Sequence, residues 1–167
     1  LPKQFNKIGG IKMSLNLNKF LTFTLGEEFY GIPILNVKEI IGMMEITHVP
    51  SMPEFIKGII NLRGKIIPVM DLRLKFGNES KEYNDRTCII VLEMEVSDKI
   101  RLTGLAVDGV SEVLAINNED IELPQECFGN NNQDYLTGIG KVKDKVIMLL
   151  EPVKMLSKEE KELVEKS

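Results

Sequence analysis

A single imidazole limits the acid–base chemistry open to this chain. His48 stands in Ile46-Thr47-His48-Val49-Pro50 with no second His and no Cys at ligand spacing, which argues against a metal site. As a general base it lacks both a marked nucleophile and an orienting acid. Of the two thiols, Cys88 lies in the apolar run Cys88-Ile89-Ile90-Val91-Leu92 and is expected to be buried, while Cys127 falls in a polar loop. They are too few and too far apart for a disulfide framework or a zinc knuckle. Gly9-Gly10 and Gly138-Ile139-Gly140 lack the pattern of a phosphate loop that opens a helix. The carboxylates Glu27-Glu28, Glu93 with Glu95, and Glu119-Asp120 read as solvated turn or strand-edge charges. The expectation is a protein with no catalysis, no cofactor and no metal. Its function must then lie in its surfaces.

Composition narrows which surfaces those can be. The 167 residues carry 21 Lys and Arg against 25 Asp and Glu, a net charge of −4, so no basic excess exists to hold a phosphate backbone. Aromatic residues make up 6% and Trp is missing, which removes the stacking platforms of single-strand binders. No apolar run approaches the roughly 20 residues of a membrane span. Nor is there a signal peptide's charged start followed by an apolar stretch, so a soluble, intracellular protein is expected. The length suits one compact domain or two very small ones.

Residues 1–18 read as a tail, with Met13 ahead of Ser14-Leu15-Asn16. Large apolar residues then alternate with Thr in Phe20-Leu21-Thr22-Phe23-Thr24-Leu25, a period-2 strand signal. Gly26-Glu27-Glu28 turns the chain into a second strand, Phe29 to Ile34, where Pro33 marks an edge or an end. Leu35 to Gly42 is ambiguous between a helical turn and a bent strand, and Ile46 to Val49 reads as strand. Two further β-rich runs, Gly58 to Leu62 and Lys65 to Met70, meet at Arg63-Gly64 as a hairpin. Asp71 is placed to cap a short helix, Leu72 to Phe76, that Gly77 ends. Residues 78–86 form a polar linker. Ser157-Lys158-Glu159-Glu160 fits a capping box opening a C-terminal helix or tail over 157–167.

The second half repeats the first. Gly31-Ile-Pro-Ile-Leu-Asn-Val-Lys-Glu-Ile-Ile aligns without gaps on Gly104-Leu-Ala-Val-Asp-Gly-Val-Ser-Glu-Val-Leu, an offset of 73 (104 − 31). Lys57 to Asp71 aligns on Thr137 to Glu151, an offset of 80 (138 − 58). Two blocks in the same order, with matching Gly, Glu and turn positions, indicate duplication. Two copies of a five-strand unit suggest two small barrels, and each alone buries too little core to stand by itself. They are expected to pack about a pseudo-two-fold axis, the first over about 19–82 and the second over about 86–153.

These residues also carry a family resemblance. The chain resembles the CheW family of bacterial chemotaxis over 19–156. The carriers are Leu21-Thr22-Phe23, Gly31-Ile32, Val37-Lys38-Glu39-Ile40, Val49-Pro50, Gly58 to Gly64, Ile67 to Leu72, Gly104 to Val110 and Thr137 to Gly140. The resemblance implies an all-β fold of two SH3-like five-stranded β-barrels with short helices after each. It also implies a non-catalytic scaffold that couples the cytoplasmic tip of methyl-accepting chemoreceptors to the regulatory domain of the histidine kinase CheA. Such a protein works in the cytoplasm, recruited to membrane-associated receptor arrays, without inserting in the membrane. The same domain occurs within CheA and CheV. With no receiver sequence after Ser167 and no kinase sequence before Leu1, a free-standing scaffold is the expected form unless the chain is a fragment, the alternative being a CheW-like piece of CheA or CheV. A generic SH3- or OB-like nucleic-acid-binding barrel is the alternative from another class, and charge and aromatic content oppose it.

Duplication also points to candidate site residues. Asn61-Leu62-Arg63-Gly64 corresponds to Lys141-Val142-Lys143-Asp144, so the first half holds a five-donor guanidinium where the second has an ammonium. Arg63 could instead pair internally with Glu39 or Asp71. The resemblance places Val37, Glu39, Asn61, Leu62, Arg63 and Gly64 at a receptor-facing groove. For the kinase-facing surface the candidates are Ile41, Met43 and Met44. Two adjacent Met residues cannot both point inward from a strand, and flexible thioethers suit an adaptable contact.

Overall fold

Thr–apolar alternation makes β1 (Lys19–Leu25), and the Gly26 turn returns it as β2 (Glu28–Pro33), which ends at its proline. The structure, a computed structural model, describes residues 18–79, 81–129 and 134–155. Nearly all of the expected N-terminal tail and the helix expected from Ser157 lie outside the described residues. The ambiguous stretch resolves into both of its options: a 3-10 turn over Ile34–Asn36, then β3 (Val37–Gly42). Next come β4 (Ile56–Leu62), β5 (Lys65–Asp71), β6 (Cys88–Val96), β7 (Lys99–Val107) and β8 (Gly109–Ala115). The two-residue β9 (Ile121–Glu122), β10 (Leu136–Val142) and β11 (Lys145–Leu150) complete the set.

Asp71 caps the helix Leu72–Lys75 as expected, its carboxylate accepting from the Arg73 amide at 2.9 Å. A 3-10 turn, Pro152–Met155, occupies the equivalent place after β11. Two local expectations fail. Ile46 to Val49 forms no strand, only a single bridge from Thr47 to Ile59. Cys127 sits in a short helix, Pro124–Phe128, rather than a loop, because Pro124 at the first helical position and Glu126 bonding back to the Leu123 amide start a turn there.

The strands form two sheets, ordered β8-β1-β2-β11-β10-β9 and β3-β6-β7-β5-β4. The repeats are equivalent strand for strand. Gly31 lies opposite Leu149 in a parallel β2–β11 pair, and Gly104 lies opposite Val69 in a parallel β7–β5 pair. Bulges recur as well, at Ile56/Gly58 against Leu136/Gly138 and at Val37/Glu39 against the β1–β8 pair. Exchanging the two repeats therefore converts either five-strand order into the other, with β9 an addition. The expected division of the chain at 82–86, however, is not how the sheets are built. Each sheet takes one hairpin from one repeat, β1–β2 or β6–β7, and its remaining strands from the other. The five-stranded sheet uses residues 37–107, and the other takes β1 and β2 from one end of the chain and β8 to β11 from the other.

Burial follows from that arrangement. Leu21, Phe23, Leu25, Ile90, Leu92, Leu105 and Val107 form one central cluster with residues of both sheets. Alternate residues face inward within each barrel: Ile89, Val91, Ile60 and Ile67 on one side, Ile116, Ile147 and Leu149 on the other. Strand β6 is covered on both faces, which explains the unbroken apolar run at Ile89–Leu92. Cys88, at its start, is only half-buried.

Candidate functional site

The hairpin between β4 and β5 is a two-residue turn, with Leu62 opposite Lys65. Arg63 (φ 52°) and Gly64 (φ 87°) both take positive φ, the requirement of a type I′ turn, whose twist matches that of the flanking strands. The Gly64 amide donates to the Asn61 side-chain oxygen at 2.8 Å, which fixes the turn from inside. Arg63 projects from its tip with 68% of its side chain exposed and donates to the Glu39 carboxylate. A bulge in β3 falls between Glu39 and Val37.

Of the six residues expected at a receptor-facing groove, four gather at this corner: Glu39, Asn61, Arg63 and Gly64. Val37 and Leu62 are half-buried beside them, Val37 against the central cluster and Leu62 against the interior of the five-stranded barrel. Their role is therefore partly packing. Of the two internal partners considered for Arg63, Glu39 is the one used. Asp71 is occupied elsewhere. Among the described residues the equivalent pair, Lys143 with Glu112, is not made: Glu112 lies 4.0 Å from Lys145, and Lys141 meets Glu122 at 3.2 Å. A single exposed ion pair adds little stability, about 0–1 kcal/mol, but it holds a planar donor array pointing outward.

Ile41, Met43 and Met44 lie together at the end of β3, but the two methionines are not strand residues. The strand stops at Gly42, so alternation does not govern residues 43 and 44. Both are half-buried and pack against the interior of the five-stranded barrel. Gly42 between them and Ile41 is exposed, with open space where a side chain would stand.

Sequence reasoning missed two features. Ile66, 49% exposed and directly across from Asn61, gives the corner an apolar flank. Its signal is the Ile66-Ile67 doublet, of which only one residue can face inward. The other is Tyr83, in the stretch read as a polar linker. Its hydroxyl donates to buried Asp71 at 3.0 Å, and burial together with the Asp71 charge pushes its pKa well up, so it stays a donor. Among the described residues, no group of three or more His, Cys, Asp or Glu could hold a metal ion. No helix among them is long and apolar enough to cross a membrane.

Fold and site together define a duplicated two-barrel β domain with a polar, cation-bearing corner. Residues 19–160 match the CheW-like domain, and the chain belongs to that family. It is 43% identical over 147 residues to the chemotaxis protein CheW of Klebsiella aerogenes, covering 88% of this chain and 86% of that one. Identity to the Helicobacter pylori protein of the same name is 36% over 142 residues, 84% and 82% of the two chains. The crystal structure of the scaffolding protein TtCheW from Thermoanaerobacter tengcongensis superposes with a TM-score of 0.71 at 40% identity, covering 80% of this chain and 88% of that one.

Proposed function

We propose that this chain is a non-catalytic chemotaxis scaffold that holds the cytoplasmic tip of a methyl-accepting chemoreceptor and the regulatory domain of CheA in one complex. It needs no cofactor and works in the cytoplasm, at receptor arrays beneath the membrane. The receptor docks at the corner of Val37, Glu39, Asn61, Leu62, Arg63 and Gly64. The kinase docks at the end of β3, around Ile41, Met43 and Met44. One observation carries the reading: an exposed guanidinium at a turn tip, aimed by a carboxylate, beside an apolar flank. That is the chemistry a helical hairpin with mixed polar and apolar faces would meet.

Two variants test the two surfaces separately. Arg63→Ala should weaken binding of a receptor-tip fragment by about thirtyfold, the effect of losing a central interface arginine worth about 2 kcal/mol. Its binding to the CheA regulatory domain should stay unchanged. Gly42→Arg, built into open space, should do the reverse. Calorimetric titrations of both partners read the outcome. Equal loss for both partners in either variant would make that surface structural and overturn its assignment.

A further inference from the structure

Arg73 is a buried cation that the docking surfaces do not use. Its side chain is 6% exposed, and each guanidinium nitrogen has an acceptor. Nε and Nη2 donate to the two oxygens of Asp71 at 3.3 and 3.1 Å, Nη2 also donates to the Lys81 carbonyl at 2.9 Å, and Nη1 lies 3.1 Å from Asp108. Tyr83 completes the cluster, its hydroxyl on Asp71 and its ring 5.4 Å below the guanidinium.

The placement of these groups is what matters. Asp71 ends β5, in the five-stranded sheet. Asp108 is the single residue between β7 and β8, where the chain passes from one sheet to the other. Its second carboxylate oxygen accepts from the Gly26 amide at 2.6 Å, and its own amide donates to the Thr24 carbonyl at 3.0 Å. One guanidinium thus joins the five-stranded barrel to the β1–β2 hairpin of the other. The repeat shows that this junction is built once. By the offsets above, Asp71 maps to Glu151, Arg73 to Val153 and Asp108 to Leu35. Val153 packs against the central cluster and Leu35 is 59% exposed. The second crossing, Ile34–Asn36, has no ionic counterpart at those positions, and it leads directly into Val37 of the receptor corner.

We infer that Arg73 is a positioning residue: through Asp71 and Asp108 it sets the angle between the two barrels, pinning them at one crossing and leaving Ile34–Asn36 as the crossing about which they turn when the pin is released. The pin stands on its own geometry. Only its consequence for the placement of Val37 and Glu39 rests on the function proposed above.

The test uses the full chain without partners, so its failure is distinct from failure of the docking sites. In a Cys88→Ala, Cys127→Ser background, nitroxides at Lys65→Cys and Ser111→Cys report the distance between barrels by pulsed electron resonance. The parent should give one narrow distance peak. Arg73→Lys, which cannot serve both carboxylates, and Asp108→Asn, which keeps an acceptor for Gly26 but loses the charge, should broaden or shift that peak while the β circular dichroism is retained. An unchanged peak in a folded Asp108→Asn protein overturns the inference. Hydrogen exchange on the unmodified protein keeps the question answerable if the variants do not fold. The Gly26 amide, on an exposed turn, should be protected as strongly as the Asp108 amide. Exchange at the rate of a free turn amide overturns the pin.

Discussion

Arg63 occupies a backbone conformation that favours other residues. Its φ of 52° belongs to the left-handed region, which costs most L-residues about 1–2 kcal/mol and which Asn and Gly tolerate best. A turn selected for stability alone would carry Asn-Gly here. Replacing Arg63 by Asn should therefore leave stability unchanged or raise it by up to about 1 kcal/mol, because the lost ion pair is exposed and weak. Receptor binding should still fall about thirtyfold. Urea melts beside a receptor titration decide the matter, and an Arg63→Asn protein that binds like the parent would remove Arg63 from the site. Arg63→Lys is more discriminating. It should restore most of the affinity if charge is what the partner reads, and little if the planar fork is.

At the scale of elements, the informative pair is Gly58 and Gly138, equivalent positions under the repeat. Gly58 has φ 147°, and a Cβ there would run into the Thr47 carbonyl. That carbonyl accepts from the Ile59 amide at 2.9 Å in the bridge that closes the five-stranded barrel. At Gly138 the obstacle at 2.7 Å is the Cγ2 methyl of Ile121, a side-chain atom rather than backbone, and no positive φ adds strain. Gly58→Ala should therefore cost roughly 4 kcal/mol or more, and Gly138→Ala about 1–3 kcal/mol. Denaturant midpoints that fall equally would show that the two closures are mechanically alike. Much at this scale is readable from the chain, because the Phe20–Leu25 alternation, the Asp71 cap and the Arg63-Gly64 turn are local. The bridge at Thr47 is not, since it depends on β4 arriving from elsewhere. Tyr83 and the helix at Pro124 escaped for a related reason: polar neighbours mask a lone buried ring and a single helical turn.

For the whole molecule, the repeat is visible in sequence but the partner of each strand is not. Period-2 patterns tell which face of a strand is apolar, and they say nothing about which sheet receives it. Gly31 and Gly104 could be matched by alignment. That each would lie against a strand of the opposite repeat could not. The interleaving has a direct test. A fragment of residues 19–85, one full repeat, contains strands of both sheets and should show no cooperative unfolding. A fragment of residues 34–108 holds all five strands of one sheet and should form β structure. It should also self-associate, since Met70, Leu72, Ile90, Leu92 and Leu105 would lose their cover. Circular dichroism and sedimentation separate the two outcomes. A monomeric, cooperatively folded 19–85 fragment would contradict the topology.

The parallel pairing of β2 with β11 also orders events at the ribosome. β2 is made by Pro33, but its partner begins only at Lys145, 112 residues later (145 − 33). At roughly 5–20 residues per second, the first hairpin waits about 6–22 seconds for that neighbour. During that time the five-stranded sheet, whose strands are contiguous, can already have formed. Leu21, Phe23 and Leu25 meanwhile stand without their full cover in the nascent chain. The hairpin made first is thus the last to be enclosed, and slowing translation after Val107 should raise its exposure to chaperones and aggregation.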